Sequence, residues 1–380
     1  MLEILLTMIV TILIVGFVVG ITPYIVRRNI HFGVMLPDVA NEMDITKKWK
    51  KQFFTSSVGL SIIGILLIMG GFLLNLDEET MMNFVIVAGV AVVGIISTFQ
   101  FVLYFYFRSK AKALKAEKFG QQEFQHDARI MVSTGFRNEK ITVSNTWILL
   151  LGMGIILATI LLPILVYDQI PAYVPVNWGS EGAVRFVEKT PRIFIPIPAI
   201  QSGMLLIFLF VNYSVKATKQ IISPRNAKQS LRQNRAFRYA LSKFLLLVGI
   251  ASMLMLSTVQ IMMSFAIEDS VLMGWVSIAF AIFTLISVLY LVLKYGQGGE
   301  RYKQVESSDD KNQPYQMVDD DQFWKLGMIY YNPNDTAVFV EKRFGIGMTV
   351  NFAKWQAWAM LAGILVFTVA TIIISFVMTG

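Results

Sequence analysis

The chain has 380 residues, of which 55% are hydrophobic and 15% are charged, and its mean hydropathy is +0.60. A soluble domain carries about 25% charged residues, so this composition indicates an integral membrane protein. The sequence contains no cysteine, which excludes disulfides, thiolate chemistry and cysteine-based zinc sites. The net charge of +8 is expected to reflect orientation in a membrane rather than nucleic-acid binding.

Eight apolar segments are each long enough to cross a bilayer as a helix. Because backbone polar groups in lipid must be satisfied within the segment, we predict an all-α polytopic membrane protein with about eight transmembrane helices. The first segment is interpreted as a retained span, since neither a basic stretch nor a small-residue cleavage site accompanies it. The predicted spans are 2–26, 53–76, 81–107, 146–167, 192–215, 240–267, 271–295 and 356–378.

Lysines and arginines are concentrated in four connections between the spans. Residues 27–52, 108–145, 216–243 and 294–355 hold 30 of the 33. The positive-inside rule places these connections in the cytoplasm and, with eight spans, both termini outside. We therefore predict a multi-pass membrane protein with extracellular termini, in contact with the lipid bilayer and with no nucleic-acid partner.

The first basic connection contains a segment, residues 42–54, with two interpretations. It is either an amphipathic helix lying on the inner leaflet or an ordinary juxtamembrane basic cluster. In both cases its lysines would lie near anionic headgroups.

The outer connection at 167–192 is predicted to be turn-rich rather than helical, because prolines and glycines recur along it. Pro196 and Pro198 follow inside the fifth apolar run, and we expect them to break or kink the outer end of that helix. A broken helix is tolerated where its backbone is covered by protein or lines a cavity. An outward-facing hollow is therefore expected near these prolines.

The last basic connection divides into two parts. Residues 296–318 are polar and are predicted to form a linker. Segments 328–331, 337–343 and 348–352 favour strands, so residues 319–355 are predicted to form a small cytoplasmic β-meander before the last helix at 356–380. The acidic run Asp319-Asp320-Asp321 is expected to be solvated or to cap this β segment. The rest divides into 1–166, with helices 1–4, and 167–295, with the outer connection and helices 5–7.

The centres of the predicted spans contain no Asp, Glu, Lys, Arg or His. These are the groups that proton-coupled transporters and intramembrane proteases use. We therefore predict a non-enzymatic protein with no catalytic residues, no metal site and no cofactor. For Gln100, Gln201 and Gln260 we expect hydrogen bonds between helices, and the alternative is a polar lining for a ligand cavity.

Three carboxylates, Asp168, Glu181 and Glu188, share the outer connection. They are either solvated or available to a cation or a cationic peptide. A lipid-directed enzyme would need an acid–base pair at the interface, and Asp168 with Glu181 or Glu188 is the candidate set for that minor alternative.

The outer connection contains Tyr167-Asp168-Gln169-Ile170-Pro171, then Val174-Pro175, Asn177-Trp178 and Gly182. This series resembles an uncharacterised domain that also forms the N-terminal part of the Sdp immunity proteins of Gram-positive bacteria. In that pattern a histidine usually stands where this chain has Asn177. The resemblance implies a multi-pass protein of the bacterial plasma membrane, in a Gram-positive bacterium, that protects against a membrane-active toxic peptide.

A second resemblance lies near the C-terminus. It covers Trp324-Lys325-Leu326-Gly327, the run Tyr330-Tyr331-Asn332-Pro333-Asn334-Asp335, and Val340 to Gly347. These residues are similar to a second uncharacterised domain, which often follows the first in Firmicutes.

The resulting hypothesis is a non-enzymatic immunity or envelope-stress protein that binds a peptide or lipid ligand on its outer face and a cytoplasmic protein partner inside. The alternative is a transporter or permease subunit for an apolar or peptide substrate. The predicted ligand-binding residues are Asp168, Pro171, Pro175, Asn177, Trp178, Glu181 and Gly182. The predicted partner surface comprises Trp324, Tyr330, Tyr331, Asn332 and Arg343.

Overall fold

The computed structural model describes residues 2–74, 76–119, 140–179, 182–220, 227–302 and 319–379. Within these ranges eight helices are long and apolar enough to cross a membrane, which confirms the predicted fold class. They are α1 (Leu2–Ile25), α2 (Asp44–Gly70), α3 (Glu78–Lys118), α4 (Asn145–Leu165), α5 (Pro196–Ala217), α6 (Ala227–Ser264), α7 (Val271–Tyr295) and α8 (Trp355–Thr379).

The helices pack in two groups. In the first, α1, α2 and α3 share a core around Ile12, Ile68 and Ile96. In the second, α4, α5 and α6 pack around Ile156, Leu205 and other apolar residues. Helix α7 packs on α6, and α8 packs on α5.

Small residues allow α1 and α2 to approach closely. Gly16 and Gly20, one helical turn apart on α1, face Ser61 and Ser57 of α2. A Cβ at Gly16 would overlap the Ser61 side chain, and one at Gly20 would lie 3.2 Å from Ser57 Cβ. This arrangement is typical of membrane helices that associate through backbone proximity and van der Waals contact.

Polar side chains within the spans join helices to one another. Gln201 Nε2 on α5 donates to the Met253 carbonyl at 3.0 Å and to Ser257 Oγ at 2.9 Å on α6. Gln260 Nε2 on α6 donates to the Phe194 carbonyl at 3.3 Å, just before α5. The predicted interhelical bonding is thus confirmed for Gln201 and Gln260, whereas Gln100 Nε2 is buried without a hydrogen-bond partner among the described residues.

The two ends of the bundle differ in character. One end, here called the basic end, carries the α1–α2, α3–α4, α5–α6 and α7–α8 connections. The other, called the hairpin end, carries the α2–α3, α4–α5 and α6–α7 connections. Its main feature is a β-hairpin between α4 and α5, formed by β3 (Tyr173–Gly179) and β4 (Gly182–Glu188).

The prolines before α5 begin that helix rather than break it. A 3-10 turn covers Pro191–Phe194, and Pro196 is the first residue of α5. Proline is tolerated in the first helical turn, where its missing N–H would have no intrahelical acceptor. The predicted kink at Pro196 and Pro198 is therefore wrong, and buried side chains at Ile193 and Phe194 pack where a hollow was expected.

The segment at 42–54 is not a separate helix on the membrane surface. Helix α2 begins at Asp44 and continues without interruption into its span. Trp49 and Phe53, in the second and third turns of α2, are buried against Phe107 of α3. These apolar side chains are therefore buried against α3 and are not available to insert into the inner leaflet.

Two short hairpins replace the single predicted meander in the region here called the C-terminal module, residues 319–354. Strands β5 (Trp324–Lys325) and β6 (Ile329–Tyr330) form one, and β7 (Phe339–Glu341) and β8 (Met348–Val350) form the other. A parallel bridge from Tyr330 to Asn351 joins the two. A further small hairpin, β1 (Ile30–His31) with β2 (Val34–Met35), lies in the α1–α2 connection.

Candidate functional site

The hairpin β3–β4 is antiparallel, with Val174 opposite Val187 and Trp178 opposite Ala183. Its register is irregular around Asn177, where the strand bulges. Residues 180–181, between the two strands, lie outside the described part of the chain. Bulges increase twist and re-aim side chains. The two faces of this hairpin have different surroundings: one packs on the bundle and the other is exposed.

One face of the hairpin is bound to the helical bundle. Val174 is fully buried, and Val176, Trp178 and Val187 pack beside it on Phe194 and its apolar neighbours. Trp178 Nε1 donates to the Ile267 carbonyl at 2.9 Å, in the α6–α7 connection. This hydrogen bond satisfies the indole N–H of the half-buried Trp178 and fixes the hairpin to the α6–α7 connection.

The base of the hairpin is also held in place. Lys189 Nζ donates to the carbonyl oxygens of Tyr167 at 3.1 Å and Ile170 at 2.8 Å. The Lys189 backbone N–H donates to the Ala172 carbonyl at 2.8 Å. Near the tip, Gly182 has φ +120°, and a Cβ there would lie 3.0 Å from the Glu268 carbonyl. The hairpin is thus held at its base by residues of its own connection and further along by the α6–α7 connection.

The opposite face of the hairpin exposes apolar and aromatic side chains. Tyr173 is 64% exposed, Val184 is 64% exposed and Phe186 is 43% exposed. Arg185 is exposed beside them. Exposed apolar side chains gathered on one element are a feature of interaction surfaces.

The ligand residues predicted from sequence are divided between the two faces. Asp168, Pro171 and Asn177 are exposed, whereas Pro175 and Gly182 are buried and Trp178 is half-buried. Glu181 lies outside the described residues. Sequence reasoning missed Tyr173, Val184 and Phe186, although their alternation with buried valines was a strand signal.

At the basic end, Arg343 is the centre of a buried ionic cluster. Its guanidinium pairs with Asp320 and Asp321 and donates to the Gly33 carbonyl at 3.2 Å. The guanidinium also lies 5.1 Å from the centre of the Trp324 ring. The acidic run is therefore engaged in ion pairs rather than simply solvated, which corrects that expectation.

Helix α3 contributes a second cation to the same cluster. Lys115 Nζ lies 2.7 Å from Asp319 Oδ2 and 2.6 Å from Asp321 Oδ2. Burial alone would raise the pKa of Asp321, but Arg343 and Lys115 outweigh it and hold that pKa below its usual value. The carboxylate is thus kept ionised by the pairs it forms.

The second sheet of the C-terminal module is joined to both helix groups. Glu341 accepts from Arg27 of the α1–α2 connection at 2.5 Å and from Asn234 Nδ2 of α6 at 2.9 Å. Gln297, after α7, donates to the Gly347 carbonyl at 3.0 Å and accepts from its N–H at 2.9 Å. The module therefore clamps the two helix groups at the basic end.

The remaining polar residues of the module hold its own turns. Tyr330 donates to Asp335 Oδ2 at 2.8 Å, and Lys219 Nζ lies 2.7 Å from the same oxygen. Asn351 Nδ2 donates to the Asn332 carbonyl at 2.8 Å, and its Oδ1 accepts from the Asn332 N–H at 3.0 Å. Burial would raise the pKa of Asp335, yet the bonds from Lys219, Ala337 and Tyr330 lower it.

Most of the predicted partner surface is therefore interior. Trp324, Tyr330, Asn332 and Arg343 are buried, and Tyr331 is the exposed member of the five. Buried residues that satisfy each other's hydrogen bonds stabilise a fold and are not available to a partner.

Between the module and the helices lies a cavity of about 340 Å³. It is bounded by α5, α6, the β7–β8 sheet and the first turns of α8. Its lining is mostly apolar. Among the described residues, no group of three or more His, Asp or Glu side chains is placed to hold a metal ion.

A protein-family model described as a family of unknown function, DUF5808, matches residues 333–358. This stretch covers the second sheet of the module and the start of α8, and it overlaps the C-terminal segment whose resemblance to an uncharacterised domain was noted from sequence. No curated protein and no solved structure matches the chain.

Proposed function

We propose that this multi-pass membrane protein is a non-enzymatic immunity or envelope-stress protein of a bacterial plasma membrane. It binds a peptide or lipid ligand through the exposed face of the β3–β4 hairpin, which lies outside the cell. The observation that carries the proposal is the hairpin itself. Its exposed Tyr173, Val184 and Phe186 lie on a strand pair that packs on Phe194 and is bonded to the α6–α7 connection.

The contacts that hold the hairpin affect ligand binding, because a flexible surface loses conformational entropy when a ligand binds, and this loss weakens the affinity. A hairpin fixed by Trp178 and Lys189 presents its face already ordered, which lowers that cost. Aromatic side chains are the usual anchors of such surfaces.

The position of the hairpin suits a ligand that first enters the membrane. The hairpin directly follows α4 and precedes α5, so its face lies close to the end of the spans. Asp168 and Glu188, both exposed, supply carboxylates for a cationic peptide at the margin of this face. A cytoplasmic partner, if the basic end faces inward, would meet Tyr331 and the exposed lysines there.

The test compares a deletion strain of the source bacterium with complemented strains across membrane-active peptides. The wild-type chain is expected to restore resistance, whereas Tyr173→Ala with Phe186→Ala is expected to lower the inhibitory concentration about thirtyfold, because each of the two lost aromatic anchors costs at least about 1 kcal/mol. Trp275→Ala is the matched control, since Trp275 is an exposed aromatic at the same end but on α7.

Resistance that is unchanged by deletion would overturn the immunity proposal. Equal losses in the double variant and in Trp275→Ala, at equal protein levels, would remove the hairpin as the ligand site.

The second candidate is a transporter or permease subunit for an apolar or peptide substrate. The cavity between α5, α6, α8 and the module favours it. Co-purification of a nucleotide-binding subunit with the tagged chain would support this candidate over the first.

A further inference from the structure

The cavity beside α8 is closed towards the hairpin end. Gly203 of α5 meets Phe367 of α8 so closely that a Cβ at Gly203 would overlap the Phe367 ring. The cavity begins about two turns along α5 from that contact, at Phe210, and ends on the β7–β8 sheet. It is thus a wedge that widens towards the basic end and does not continue through the bundle.

The wedge opens to lipid rather than to water along its length. Leu361 and Ile364 of α8 line it and are also exposed. The adjoining Leu365 and Val366 are more than 60% exposed on the outer side of α8. An apolar ligand could therefore enter sideways from a bilayer.

Two tryptophans show where the headgroup region lies. Trp355 and Trp358, in the first turn of α8, are both largely exposed. Tryptophan in such positions is enriched at membrane–water interfaces. Because Ala357 and Met360 of the same turns line the cavity, its wide end is at headgroup level.

The wide end carries positive charge that no carboxylate in the described part of the chain neutralises. Lys342, between the strands of the second sheet, lines the cavity and is exposed. Basic side chains at the mouth of an apolar pocket between membrane helices are complementary to anionic lipid headgroups.

We propose that this wedge is a binding site for an anionic phospholipid. One acyl chain occupies the apolar cavity between α5 and α8, and the phosphate lies at Lys342. The site is separate from the hairpin and from the ligand function proposed for it. Such a lipid would fill the space that α8 leaves open and fix that helix to the bundle.

The test uses the full chain purified in detergent and titrated with phosphatidylglycerol or phosphatidylcholine, with binding measured by native mass spectrometry. Lys342→Gln is expected to weaken phosphatidylglycerol binding about fivefold. This factor corresponds to the loss of about 1 kcal/mol, which one lysine contributes near an anionic surface. Lys325→Gln is the control, because Lys325 is an exposed lysine on the other sheet of the same module.

A second pair of variants tests the apolar part. Met360→Trp fills the cavity and should abolish binding of either lipid, whereas Leu365→Trp, on the lipid-facing side of the same helix, should leave it unchanged. Equal affinity for the two lipids, or equal effects of Met360→Trp and Leu365→Trp, would overturn the proposal. The surface variant Lys342→Gln keeps the test decisive should Met360→Trp fail to fold.

Discussion

At the residue scale, the polar side chains of the spans were easier to interpret than the charges of the connections. Gln201 and Gln260 had few options, because an amide inside a membrane must find a neighbouring helix. Arg343, by contrast, bonds to Gly33, 310 residues away in sequence. No local pattern specifies which cations and carboxylates become buried partners. The sequence alone therefore predicts that the run Asp319-Asp320-Asp321 is solvated or caps the β segment.

His31 is the residue for which the structure predicts a measurable pH effect. Burial, with Lys50 nearby, lowers the pKa of His31 to about 3. In the unfolded chain the pKa of His31 is near 6.5. Between about pH 3 and pH 6.5, His31 therefore binds a proton in the unfolded chain but not in the folded chain. The free energy of unfolding should therefore fall as pH falls below about 6.5, by up to about 1.4 kcal/mol per pH unit.

The measurement is the unfolding temperature in detergent between pH 7 and pH 4.5. The slope should be smaller in His31→Leu than in wild type. Asp321, whose pKa is lowered, contributes stability that is lost only below about pH 4, so it leaves this window unaffected. Parallel curves for the two proteins would contradict the account of His31.

At the scale of elements, all eight helices were predicted, and the strands predicted at 328–331, 337–343 and 348–352 correspond to β6, β7 and β8, whereas β1 to β5 were not predicted. The length of a span is set by the bilayer, so the apolar runs located all eight helices. Strand β5, and with it the pairing to β6, was missed because the turn between them places Leu326 at φ 55° before Gly327 at φ 74°, and leucine is unusual in that region. Tyr104 Oη supports this turn by donating to the Leu326 carbonyl at 3.2 Å. The sequence of the β3–β4 hairpin predicts turns instead of strands, because prolines and glycines recur along it.

The α1–α2 contact gives a prediction about helix packing. Gly16→Leu should destabilise the protein by about 1–3 kcal/mol, because the new side chain must displace α2 at Ser61. Gly59→Leu, on α2 where a Cβ meets open space, should have little effect. Resistance to unfolding by dodecyl sulfate measures both. Equal stability of the two variants would show that the helices do not meet at Gly16.

At the scale of the whole molecule, composition predicted a membrane protein but not how its parts are joined. The C-terminal module is part of the helical assembly, since Glu341 connects Arg27 with Asn234 across the two helix groups. Contacts of this kind depend on side chains far apart in sequence. The cavity beside α8 likewise depends on how α8 packs against α5. The pattern of apolar spans in the sequence does not specify that packing.

The proposed function depends most directly on the hairpin lying outside the cell. Because the sequence contains no cysteine, single cysteines can report orientation without background. Tyr173→Cys places one on the exposed hairpin face, and Lys325→Cys places one on the exposed side of the C-terminal module. Intact cells are treated with a membrane-impermeant maleimide. We predict labelling of Tyr173→Cys in intact cells and of Lys325→Cys only after permeabilisation. The reverse pattern would place the hairpin in the cytoplasm and contradict the proposed function.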